Sequence, residues 1–161
     1  MLEVLELDEL HWYVGRKRPA GARRNVYLMT AVSRKPRKIV GFDVAFDKSA
    51  NRIQGMIDIA PPAKTYYTDK YSAYEDVVYF GEHVRGKSNT FTVESVNADL
   101  RHYIPILARR SRCFPRSLET LQAVLDVFVA AYNRFGVAKE QFRRNRFRGA
   151  RELPFSVLDF L

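Results

Sequence analysis

The chain has 161 residues, 47% of them hydrophobic and 13% aromatic, enough for one packed domain and too apolar for a disordered tail. Lys and Arg number 27 against 18 acids, giving a net charge of +9 at pH 7, which suits a polyanionic partner, nucleic acid before membrane. No apolar run approaches the roughly 18 residues of a membrane span, and a single cysteine (Cys113) with scattered His11, His83 and His102 excludes an internal disulfide and a C-x-x-C zinc site.

Residues 2–14, rich in Leu, Val, Trp and Tyr, read as a first strand. A loop with Pro19 and Gly21 leads to a second strand over 26–32, and the turn-like Arg34-Lys35-Pro36-Arg37 to a third over 38–46. Their close spacing predicts an antiparallel meander. Residues 49–59 read as a helix with Ser49 as N-cap and Ile53, Met56 and Ile57 on one face, stopped by Pro61-Pro62. A short strand over 64–68 ends at Asp69. The helix before it predicts a right-handed crossover, and so a parallel pairing with a strand already formed. A short helix over 71–78 and a weak strand over 82–86 follow. Two long helices, 92–107 and 117–135, come next, the second carrying the core stripe Leu118, Leu121, Leu125, Phe128 and Tyr132 and stopping at Gly136. The fold class is α/β, a mixed sheet covered by helices. The domain spans residues 1–136, and 137–161 form a basic C-terminal tail without an assignable structure.

Charge is unevenly placed. The first ten residues hold Glu3, Glu6, Asp8 and Glu9 and no base, unlike a secretory signal, so a reducing cytoplasm fits. Residues 16–38 hold nine bases and no acid, and Arg109, Arg110, Arg112 and Arg116 lie close together. Acids set among long basic stretches suggest a metal pocket rimmed by phosphate-binding groups.

Three carboxylates are candidates for that pocket. Asp8 lies inside a strand whose same-face neighbours are Val4, Glu6, Leu10 and Trp12, where burial is costly unless a cation or donors compensate. Asp69 ends a strand, the usual place for ligand groups in α/β sheets, although a turn residue is the commoner role of a lone Asp there. Glu94, Asn97 and Arg101 recur at i, i+3 and i+7, about a quarter turn from the apolar stripe Val93, Val96, Leu100, Ile104 and Leu107. An amphipathic helix with a charged flank has the same pattern. Mg²⁺ takes carboxylates, water and substrate phosphate, and paired ions clamp both oxygens of a phosphoryl transfer. Arg101 adds a fork for a phosphate.

The motifs Glu6-Leu7-Asp8-Glu9 with Tyr13-Val14-Gly15, Tyr67-Thr68-Asp69 with Ala73-Tyr74, and, after 24 residues, Glu94 with Asn97 and Leu100-Arg101 make the sequence recognisable. With Arg109-Arg110-Ser111, Phe114 and Arg116-Ser117, it resembles the DDE transposases of the insertion-sequence-one family from Glu6 to about Phe135. Lys70 stands where many relatives have glycine, and Ala98 where they often have a polar residue; neither change removes a metal ligand.

The resemblance implies a ribonuclease H-like catalytic domain in which Asp8, Asp69 and Glu94 bind two divalent ions, Mg²⁺ or Mn²⁺. These would cut DNA at transposon ends, and the freed 3′-hydroxyl would attack target DNA. Asn97, Arg101, Arg109, Arg110 and Arg116 would contact DNA. Relatives carry zinc-binding and helix-turn-helix segments upstream, whereas Met1 lies only seven residues before Asp8. An upstream-frame DNA-binding segment or protein is therefore expected as a partner, with DNA and a second copy of the chain, in a bacterial-type, nucleoid-associated cytoplasmic setting. The competing readings are a ribonuclease H-like nuclease without strand transfer and an inactive DNA-binding remnant.

Overall fold

The computed structural model describes residues 1–15, 23–107 and 115–135. Strand β1 (Leu2–Gly15) pairs antiparallel with β2 (Arg23–Ser33), in a register running from Leu5 opposite Ser33 to Gly15 opposite Arg23. Strand β3 (Lys38–Ala45) continues the meander beside β2. Helix α1 (Ala50–Ile59) then crosses over and returns the chain as β4 (Ala63–Thr68), parallel to β1. Strand β5 (Glu82–Arg85) is added parallel to β4, so the sheet order is β3-β2-β1-β4-β5. Helices α2 (Phe91–Tyr103) and α3 (Leu118–Phe135) complete the described chain. This mixed sheet covered by helices is the ribonuclease H-like arrangement expected from the sequence.

Alternation along β1 explains why both faces are covered. Leu5 and Leu7, fully buried, pack with Ile53, Met56 and Ile57 of α1. Leu10 and Val14 point the other way, into a second core with Val93, Val96 and Leu100 of α2 and Leu121 and Leu125 of α3. A strand buried on both sides reads as a nearly continuous apolar run. In such a strand a carboxylate is an exception that its surroundings must compensate.

Two local expectations are corrected. The helix expected over 92–107 ends at Tyr103, because Pro105 drives Ile104 out of helical geometry to φ −100°, ψ 104°. Residues Pro105–Leu107 form a separate 3₁₀ turn. Over 71–78 only a 3₁₀ turn, Ser72–Asp76, forms. Ser49 occupies the N-cap of α1, but its side chain makes no capping bond; its carbonyl accepts from the Arg52 and Ile53 amides. Ser117, by contrast, caps α3, with Thr120 N donating to its Oγ at 3.2 Å. The tail read over 137–161 lies outside the described residues.

Candidate metal centre

The centre begins with Glu6, two residues before Asp8 on β1 and fully buried. Its Oε2 accepts from the Thr92 and Val93 amides at 2.7 and 2.9 Å, and its Oε1 from Arg34 Nε at 2.7 Å. The two amides are unpaired donors of the first turn of α2, where the helix dipole favours negative charge. Thr90 stands at the N-cap without a side-chain capping bond, so a carboxylate from a strand 86 residues earlier takes that role. Arg34 also donates to Asn89 O at 2.9 Å and lies over the Tyr67 and Phe91 rings. The start of α2 is thereby tied to β1 and β2.

Helix α2 then carries its polar stripe over β1. Asn97 Nδ2 donates to Asp8 Oδ2 at 2.9 Å, and Thr30 Oγ1 donates to Asn97 Oδ1 at 3.1 Å. Thr30 is the β2 residue directly opposite Asp8. Burial holds the Asp8 carboxyl above its ordinary range; the Asn97 bond opposes this, and the Asp69 and Glu94 charges add to it. Glu94 is exposed on the first turn of α2 and accepts from Thr90 Oγ1 at 3.2 Å.

Asp69 reaches the centre from β4. The parallel ladder ends with Glu6 opposite Tyr67, so Asp8 and Asp69 stand two residues further along neighbouring strands, on matching faces. Asp69 Oδ1 accepts from Tyr71 N at 2.8 Å in an Asx turn, which fixes its rotamer. One carboxylate oxygen from each of Asp8, Glu9 and Asp69 lies within 4.8 Å of the others.

Glu9 was not singled out in the sequence as a candidate ligand. Its side chain is only 6% exposed. Lys48 Nζ stands 3.9 Å from its Oε2, the Tyr74 hydroxyl acts on the carboxylate from nearby, and Oε1 is buried with no hydrogen-bond partner among the described residues. Burial, against the opposing Lys48 charge and with the Asp69 charge adding, pushes the Glu9 carboxyl up to about 7. The same surroundings raise the Tyr74 hydroxyl well above its ordinary value.

Asp8, Glu9, Glu94 and Asn97 line a cleft of about 840 Å³ that Lys87, Arg101 and His102 share. Of the residues the sequence offered for DNA, Asn97 is buried with its amide engaged by Thr30 and Asp8, and Arg101 lies on the cleft wall. Arg116 is exposed just ahead of α3 and is not part of the cleft lining. Arg109 and Arg110 lie outside the described residues. Lys87, Glu9 and Glu6 are the site residues that sequence reasoning passed over; the period-two pattern of β1, which puts Glu9 in line with Leu5 and Leu7, was the available signal for a buried acid.

An acidic cluster set where the middle of β1 passes the end of β4, beside a helix that adds another acid to the cleft, offers hard oxygen ligands for a metal ion on a sheet of ribonuclease H-like arrangement. A family model described as IS1 transposase matches residues 1–135, and the chain belongs to that family. The IS1 family is one of transposases, DNA-processing enzymes of the DDE class that use divalent metal. No curated protein matches the chain. Among the described residues, no helix is long and apolar enough to cross a membrane.

Proposed function

We propose that this chain cuts DNA at transposon ends and joins the freed 3′-hydroxyl to target DNA, with Asp8, Asp69 and Glu94 as the catalytic carboxylates. The observation that carries the reading is the convergence of Asp8 and Asp69, from adjacent parallel strands, within 4.8 Å, with Glu94, outside that cluster, lining a cleft together with Asp8. The donors are all hard carboxylate oxygens, a set that suits Mg²⁺ or Mn²⁺ and not a soft metal. A buried, unpartnered oxygen beside them is a further sign that the residues fit a cation. The chemistry that two such ions supply is a lowered pKa for the attacking water or hydroxyl and charge neutralisation at the leaving oxygen.

The chain's own residues do the positioning. Asn97 holds Asp8 with one oxygen engaged, and the Asx turn does the same for Asp69. Lys87 and Arg101 bring positive charge to the cleft wall, where the phosphodiester backbone would lie. Arg109, Arg110 and Arg116 would extend that phosphate-binding surface, and an upstream-frame segment would read the transposon end. The test is nicking of an end-containing duplex with Mg²⁺ or Mn²⁺. Asp69→Asn is expected to abolish nicking while the circular dichroism spectrum and unfolding midpoint persist. Unchanged nicking would remove Asp69 from the reaction.

A further inference from the structure

We infer that Glu9 is a direct metal ligand of this site, a fourth acidic residue beyond Asp8, Asp69 and Glu94. The inference rests on the metal-dependent reading above and deepens it.

Strand geometry alone points Glu9 away from Asp8, toward the α1 face where Leu5 and Leu7 are fully buried. What reunites them is the end of the parallel ladder. Beyond Glu6 and Tyr67, β1 runs on with no β4 residue paired beside it, so carboxylates from both of its faces reach the open edge where Asp69 stands. Glu9 has an oxygen within 4.8 Å of oxygens of both aspartates, and it lines the same cleft.

The two oxygens of Glu9 have different surroundings. Oε2 has Lys48 Nζ at 3.9 Å, beyond hydrogen-bond distance, and that ammonium sits 3.7 Å from the centre of the Tyr71 ring. Oε1 is buried and has no partner among the described residues, in a side chain 94% removed from solvent. A buried carboxylate with one oxygen lacking a donor, clustered with two more carboxylates, is costly unless a cation is shared among them. A divalent ion meets that need: it accepts a hard anionic oxygen where a hydrogen-bond donor is missing. Tyr74 and Lys48 then serve as the surrounding groups that hold the ligand in place.

The probe is Mn²⁺, titrated without DNA into the full chain and followed by electron paramagnetic resonance and calorimetry, for wild type, Glu9→Gln and Asp69→Asn. Glu9→Gln is nearly isosteric and is expected to weaken Mn²⁺ binding by about tenfold or more, at least the loss typical of a supporting residue. Binding within twofold of wild type, with Asp69→Asn weakened, would overturn the inference. A wild-type chain that neither binds Mn²⁺ nor nicks DNA would overturn the metal-dependent reading itself, a distinct result. Should Glu9→Gln fail to fold, a Glu94→Gln chain enriched with ¹³C at its glutamate carboxyls decides the matter. A ¹³C hyperfine coupling to bound Mn²⁺ supports ligation by Glu9, and its absence overturns it.

Discussion

Asn97 sits between two roles that look alike in sequence. A polar residue one turn after Glu94 suits DNA contact, yet the amide is spent on Thr30 and Asp8. Asn97→Ala removes a donor from the half-buried Asp8 carboxylate and leaves the Thr30 hydroxyl only the Asp8 carbonyl, at 3.3 Å, as acceptor. We expect Mn²⁺ affinity to fall about 10- to 100-fold and unfolding in urea to cost about 1–3 kcal/mol less. Normal metal affinity in this variant would mean that Asp8 is oriented by something else. His83, on the edge strand β5 beside β4, offers a pH test. It stacks on Tyr79 with centroids 4.1 Å apart and shares a hydrogen bond with Thr68 Oγ1, and burial holds its pKa below the ordinary 6.5. Folding therefore favours its neutral form. As pH falls through 6.5 the unfolded chain takes up a proton that the folded chain resists, so this contribution to stability is lost on acidification. The buried Glu9 carboxyl, raised to about 7, acts in the opposite direction over the same range, so the contribution of His83 is read as the difference in urea midpoint between wild type and His83→Phe, which should change as pH falls through 6.5.

At the level of elements, the placement of Glu94 depends on how α2 is anchored. Glu6 and Arg34 form a largely buried pair, with Glu6 also closing the helix N-terminus. Removing one member leaves the other charge without its partner. Glu6→Ala should destabilise the chain by about 3–5 kcal/mol, and the double variant with Arg34→Ala should be less destabilised than the sum of the two single changes. Additive losses in urea unfolding would show that the pair is not coupled. This anchor was invisible in the sequence, because no local pattern links a strand residue to amides 86 positions away. The strands themselves were legible: β-branched and aromatic runs mark β1 to β3, and the crossover through α1 dictates that β4 lies parallel to an earlier strand. The end of α2 at Tyr103 was also written in the chain, at Pro105, and apolar periodicity running on to Leu107 concealed it. Glu9 was hidden for a geometric reason. Alternation assigns it to the far face, and only the point where the β1–β4 ladder stops brings it to Asp69.

For the molecule as a whole, the charge is divided in a way that suits its substrate. The chain carries +9, yet Asp8, Glu9 and Asp69 cluster together, and Glu94 lines the same cleft as Asp8 and Glu9. Repulsion among those acids opposes the compact state, and a cation that binds only the folded chain should raise the unfolding midpoint as its concentration rises. The basic excess acts at longer range. Each phosphate neutralised by a lysine or arginine releases counterions, so affinity for duplex DNA of arbitrary sequence should fall linearly on a log–log plot against salt. Lys87 is the simplest residue on which to test this: it is exposed and lines the cleft. Lys87→Ala is expected to weaken binding to every duplex alike and to reduce the magnitude of the salt slope by about one. Metal affinity in the absence of DNA should stay unchanged. A variant that loses affinity for only one sequence, with the slope intact, would make Lys87 a base-reading residue and move the phosphate track away from this cleft.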